Sequence, residues 1–221
     1  DSAVTEFFSS ICDVRVIWGG DATLEQVRLA RLPPRATDIT FADRVSCCLI
    51  EAETYLGIEN KEKVAQQFYN DTYLYDQNAC SSPSFVYWLG SASVVVEAKS
   101  SFWNYLQRVI VGKGYELEPI AAVEKLLASC RAAIDLSGTS VAHSDDNLLC
   151  RVELKSVPSD LEQRKCAGGF YFEYSSDRID DMFAAMTKKF QTLTYIGGDA
   201  NELREVIRDA GVRGIDRIVK C

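Results

Sequence analysis

The chain has 221 residues, 47% of them hydrophobic, and a formal charge of −8 at pH 7. That length accommodates one large domain or two small ones around a packed core. The acidic balance, without any cluster of Lys or Arg, argues against a nucleic-acid footprint. No apolar run approaches the roughly 20 residues that span a bilayer, and DSAVTEFFSS lacks the basic start and apolar centre of a signal peptide, so a cytoplasmic protein is expected.

In chain order, DVRVIWGG (13–20) reads as a buried strand stopped by glycine, and DATLEQVRLARL has helical spacing at Leu24, Val27 and Leu32. Asp21 is the expected helix cap, with the pair Gly19 and Gly20 easing the turn and Pro33 and Pro34 ending the helix. Short strands follow around 39–41 and 45–50. A helix from about Lys61 carries Val64, Phe68, Thr72 and Tyr75 on one face, and Phe85 to Trp88 reads as a buried strand. Two long helices are expected next, at 92–111 and 119–136. Val94, Val95, Ala98, Phe102, Tyr105, Leu106 and Val109 form the apolar stripe of the first. Val123, Leu126, Leu127, Cys130 and Ile134 form that of the second, and both stripes read as core. The remainder alternates: strands at 148–154 and 170–174, a helix at 179–188, a strand at 193–196, a helix at 200–210 and a strand at 215–219. Arg204, Arg208, Arg213 and Arg217, interleaved with acids, read as a solvated face.

Such alternation predicts an α/β fold with a largely parallel sheet covered by helices and ligands at the carboxyl ends of the strands. The eight cysteines are scattered through apolar segments, as reduced cytosolic thiols would be. Cys47 and Cys48 are adjacent rather than spaced, and His143 is the lone histidine, so no metal site is expected.

Chemistry points to YDQNACSSP (75–83). Pro83 drives Ser82 out of helical angles, which leaves Cys80 at an element edge among Asp76, Gln77, Asn78, Ser81 and Ser82. A cysteine in an apolar pocket is usually a small hydrophobe, whereas this polar setting suits a nucleophile. His143, in HSDDN, reads as a surface-loop residue rather than as a partner for Cys80. Cys166, before Gly168 and Gly169, reads as a strand-edge or core thiol.

Taken in order, VRVIWGGDAT, ITFADRVSCCLIE, YDQNACSSP, KFQTLTYIG and GVRGIDRIV resemble segments of the LuxC fatty-acid (acyl-CoA) reductases of bioluminescent bacteria, a branch of the aldehyde dehydrogenase superfamily. The resemblance implies an aldehyde dehydrogenase-like catalytic domain at 46–221, preceded at 1–45 by the C-terminal remnant of a Rossmann-like nucleotide-binding domain. It implies acylation of Cys80 by a long-chain acyl thioester, the Cys80 N–H as oxyanion donor, and reduction by NADPH to a fatty aldehyde. Gly19 and Gly20 would face the cofactor. Where the superfamily carries a general-base glutamate, this chain has Thr40 or Phe41, so hydrolysis of the acyl enzyme is disfavoured. An acyl-protein synthetase and an acyltransferase are the implied partners, and a homo-oligomer is expected. The chain opens just before a strand-turn-helix unit and stops on a strand-like segment, so it reads as a fragment that binds NADPH weakly and does not complete the reduction. The competing reading is an α/β interaction module in which Cys80 is structural.

Overall fold

The computed structural model describes residues 2–221. The chain forms two compact units, Asp1–Arg44 and Val45–Cys221. In the first, helix α1 (Ser2–Ile11), strand β1 (Val14–Trp18), helix α2 (Asp21–Arg28) and strand β2 (Thr37–Phe41) follow one another, and β1 pairs in parallel with β2 from Val14↔Thr37 to Trp18↔Phe41. Arg15 knits these elements. Its guanidinium grips Asp38 at 2.7 and 2.9 Å and also donates to the Ser9 hydroxyl and to the carbonyls of Val27 and Ala30. That charge-assisted fork holds the Asp38 carboxyl below its ordinary pKa.

Helix α1 was not anticipated from sequence, and α2 ends at Arg28, ahead of Pro33 and Pro34. Gly20, in extended backbone at φ −68, is the N-cap of α2, while Asp21 lies one residue further in, where its charge favours the helix dipole.

The second unit is built on a seven-stranded sheet of order β5-β6-β7-β4-β3-β8-β9. Its strands are β3 (Val45–Glu51), β4 (Pro83–Leu89), β5 (Ser140–His143), β6 (Cys150–Glu153), β7 (Phe170–Ser176), β8 (Phe190–Ile196) and β9 (Arg217–Lys220). All neighbours run parallel except β5 against β6. The helices are α3 (Ala52–Gly57), α4 (Lys61–Thr72), α5 (Ala92–Gly112), α6 (Pro119–Asp135), α7 (Asp180–Phe183) and α8 (Ala200–Asp209). Because both faces of a parallel sheet are covered, its central strands read as continuous apolar runs. Alternation within β3 divides the core: Cys48 and Ile50 pack with Phe68, Trp88 and Phe102 beneath α3, α4 and α5, whereas Cys47 and Leu49 pack with Tyr87, Leu193 and Leu203 on the other face. Burial raises the pKa of both thiols, as expected for core cysteines.

One carboxylate sits inside this core. Glu173 on β7 accepts from the indole nitrogens of Trp88 and Trp103 at 2.8 and 2.7 Å, with Arg151 at 3.8 Å beyond. Desolvation raises its pKa.

Several sequence expectations need correction. The stripe on α6 faces away from the sheet: Val123, Leu126, Leu127, Cys130 and Ile134 are exposed, and Lys125, Ser129 and Ala132 are buried instead. The helix expected at 179–188 is confined to Asp180–Phe183. Past Phe183 the chain tightens into turns in which the Ala185 and Met186 N–H groups donate three residues back, and beyond them the Thr187 hydroxyl takes the Lys189 N–H and donates to Glu162. The strand expected at 148–154 is shorter, and His143 ends β5 rather than lying in a loop. Arg217 lies on β9 and donates to the Thr192 hydroxyl, so it is no part of a helix face.

Candidate functional site

Cys80 lies on the turn between α4 and β4, and it is exposed. The turn is reached through a short 3-10 segment, Tyr73–Tyr75, followed by Asp76 and Gln77 at φ 51 and 61. Successive left-handed residues other than glycine are costly and persist only where surroundings impose them. Here the imposing contacts can be named.

Gln77 is buried and uses its whole amide. Its Nε2 donates to the carbonyls of Pro83 and Phe170, each at 2.9 Å, while its Oε1 accepts from the N–H groups of Gly169 and Phe170, each at 3.0 Å. One side chain thus fastens the cysteine turn to the starts of β4 and β7. The Asp76 carbonyl accepts from the Gly168 N–H, and its carboxylate accepts from the Tyr115 hydroxyl at 2.9 Å. At Gly169, φ is +82 and a Cβ would collide with the Leu148 carbonyl and the Tyr73 hydroxyl, so only glycine fits this junction.

On the other side, Ser46 donates to the Cys80 carbonyl at 2.7 Å and accepts from the Thr192 N–H at 3.3 Å. The register slips at Ser46 in its pairings with both neighbouring strands. Such a bulge re-aims a side chain beside a site. Ser82 donates to the Asp71 carbonyl at the end of α4. The turn is closed by the amides of Asp76, Gln77, Asn78 and Ser82, and the amide of Cys80 takes no part. The sulfur and its own N–H therefore sit just before the central strand β4, on a turn held from three sides at the amino-terminal ends of the strands rather than at the carboxyl ends expected from sequence.

Lys125 is the second buried anchor. Its ammonium donates to the Asn147 carbonyl and, at 2.7 Å, to the Gly168 carbonyl. Burial lowers its pKa to about 8. The structure does not bring His143 to Cys80, since the imidazole lies 3.9 Å from the Cys150 sulfur. Cys166 is half-buried, and burial raises its pKa. Sequence reading missed the roles of Ser46, Gln77 and Lys125, because their partners are distant: Gln77 meets Phe170, 93 residues later. A glutamine among turn formers before a cysteine was the one available signal.

In the first unit, the Gly19 N–H donates to the Phe41 carbonyl at 3.3 Å, and a Cβ on Gly19 would press on Thr23. Neither Gly19 nor Gly20 has positive φ. With one amide committed and the Asp21 carboxylate in the first turn of an eight-residue helix, these residues do not by themselves fit a dinucleotide phosphate. Among the described residues there is no cluster of ligands for a metal ion and no helix long and apolar enough to cross a membrane.

A largely parallel sheet with an exposed cysteine turn before its central strand fits an aldehyde dehydrogenase-like α/β domain, and solved structures agree. Similar folds include an indole-3-acetaldehyde dehydrogenase in complex with NAD+ (TM-score 0.71, 9% identity, 99% of this chain and 46% of that one). Betaine aldehyde dehydrogenase from Staphylococcus aureus is another (0.68, 12%, 99% and 46%). A third is the NADP-dependent glyceraldehyde-3-phosphate dehydrogenase of Bacillus halodurans C-125, complexed with NADP (0.66, 10%, 99% and 46%). The chain thus spans about half the length of these enzymes. A comparison with curated protein sequences found no match. The family described as acyl-CoA reductase (LuxC) matches residues 1–111, half of the chain, and the protein belongs to that family.

Proposed function

We propose that this chain carries the catalytic-cysteine portion of a long-chain acyl-thioester reductase and that Cys80 accepts the acyl group. The observation that carries the reading is the exposed Cys80 sulfur on a turn fastened by Gln77, Ser46 and Ser82. A preorganised turn avoids ordering cost when the acyl donor arrives. The Cys80 thiolate attacks the thioester carbonyl, a new sulfur–carbon bond forms, and the tetrahedral oxyanion is met by the Cys80 N–H, which the turn leaves unused. Collapse breaks the old carbon–sulfur bond and releases the donor thiolate, which takes up a proton. The resemblance puts Thr40 or Phe41 in the sequence position of the superfamily's general-base glutamate, so on this reading the acyl enzyme is kept for reduction.

Reduction is assigned to the whole protein, with NADPH as the reductant implied by the resemblance. The first unit is read as the C-terminal piece of a nucleotide-binding domain, and Gly19 and Gly20 as part of its cofactor side only in that larger setting. An acyl-protein synthetase and an acyltransferase remain the proposed partners, and the cytoplasm the proposed compartment.

Incubation with a long-chain acyl-CoA, read by intact mass, tests the acyl-transfer step. One hydroxylamine-sensitive acyl adduct is expected on the parent and on Cys130→Ser, with none on Cys80→Ser. Equal labelling of Cys80→Ser would instead favour the interaction-module reading.

A further inference from the structure

Helix α6 carries an apolar seam on the side that faces away from its own domain. Ile120, Val123, Leu127, Cys130 and Ile134 follow one another at alternating spacings of three and four, the a and d positions of a heptad. All five are exposed, Ile134 at 82% and Ile120 at 66%. The remaining positions explain why the helix does not roll over to bury them. Lys125, Ser129 and Ala132 occupy the inward face, and the Lys125 ammonium is fixed to the Asn147 and Gly168 carbonyls. Rolling α6 would tear a cation from both acceptors.

A heptad seam fits another helix, because alternating spacings of three and four keep a stripe facing a partner along successive turns. The residues flanking the seam identify that partner. Glu124 and Arg131 both follow a d position and are exposed, so they lie along the same border of the stripe one heptad apart. When two such helices pair antiparallel about a two-fold axis near residues 128 and 129, Glu124 of each copy faces Arg131 of the other. The same arrangement sets Val123 against Ile134 and Leu127 against Cys130. The surface is therefore self-complementary in shape and in charge, as an isologous interface requires. Antiparallel pairing also opposes the two helix dipoles favourably.

We propose that α6 is a self-association surface through which two copies of this chain pair antiparallel, with Val123, Leu127, Cys130 and Ile134 as the seam and reciprocal Glu124–Arg131 contacts as its register. The proposal is independent of the acyl-transfer reading and stands or falls without it.

Sedimentation velocity over a wide concentration range tests it on the chain as it is. A concentration-dependent dimer is expected for the parent. Leu127→Glu, which places a charge in the seam but leaves the buried face of α6 intact, should raise the dissociation constant at least about tenfold without shifting the thermal melt. Glu124→Arg and Arg131→Glu should each weaken the dimer, and the double reversal E124R/R131E should restore it. A short bifunctional thiol reagent should link the unsubstituted dimer through Cys130, with linkage lost in Cys130→Ser and kept in Cys80→Ser. A parent that stays monomeric throughout, or a dimer indifferent to Leu127→Glu, overturns the proposal. A double reversal as weak as the single ones overturns the antiparallel register.

Discussion

Helices α5 and α6 follow each other in the chain, both are long, and both carry a broad apolar stripe, yet they meet the fold in opposite ways. Helix α5 buries Val95, Ala98, Phe102, Trp103, Leu106, Val109 and Ile110 against the sheet. Helix α6 turns its stripe outward and buries Lys125, Ser129 and Ala132. The hydrophobic period of a helix specifies a face that demands a partner, but it does not say which partner. What decides is the other face. On α5 the opposite side carries residues such as Glu97 and Asn104, which are exposed. On α6 the opposite side is small and carries one cation that finds two backbone carbonyls at the cysteine junction.

The contrast can be broken most severely at Phe102, which is fully buried and packs edge-on against Tyr55, Phe68, Trp88 and Trp103. Phe102→Ala should destabilise the second unit by about 3–5 kcal/mol, read as a lowered denaturant midpoint at unchanged slope. The smallest effect lies at the matching position of α6. Leu127→Ala, measured where the chain is monomeric, should stay within about 0.5 kcal/mol of the parent, because half of the side chain stays in water in the folded monomer and alanine is the better helix former. A loss near that of Phe102 would mean that α6 buries its stripe in the folded monomer.

Between these extremes stands Lys125. Its folded pKa of about 8 lies below the ordinary 10.5, so on raising the pH the folded chain releases this proton before the unfolded chain does. The contribution of Lys125 to stability is thus fully present above 10.5 and is lost as the pH falls through about 8. Relative to Lys125→Met, the parent should gain about 1 kcal/mol between roughly pH 7 and pH 9, a difference that cancels the titration of groups common to both. Paired urea melts at the two pH values check it. A parallel pH response in both proteins would show that the lysine holds its carbonyls without a desolvation penalty.

The same comparison explains what could be read before the structure. The central strands were legible because a two-sided parallel sheet demands unbroken apolar runs such as VSCCLI and FVYW. The Cys80 turn was legible because Pro83 and the run of turn-forming polar residues before it do not continue a helix. Helix α3 was missed because six residues, the last of them Gly57, give too little periodicity to detect. Strand β5 was missed because it is mostly exposed and runs into HSDDN. Helix α7 was overextended because the local bonds that close the turn after it, including that from the Lys189 N–H to the Thr187 hydroxyl, are invisible to a periodic pattern. The clamp at Gln77 and the anchor at Lys125 were illegible for a simpler reason: their acceptors are backbone groups, and backbone carries no residue name.

The carboxylate wedged between two indoles has an optical consequence. Of the three tryptophans, Trp88 and Trp103 share the Glu173 acceptor in the dry interior of the second unit, whereas Trp18 is 80% exposed in the first. Their emission should accordingly fall into two bands, a blue-shifted one shielded from iodide and a red-shifted one open to it. A single untagged chain then carries its own pair of colours, one for each unit, with which the melting of either can be watched apart from the other.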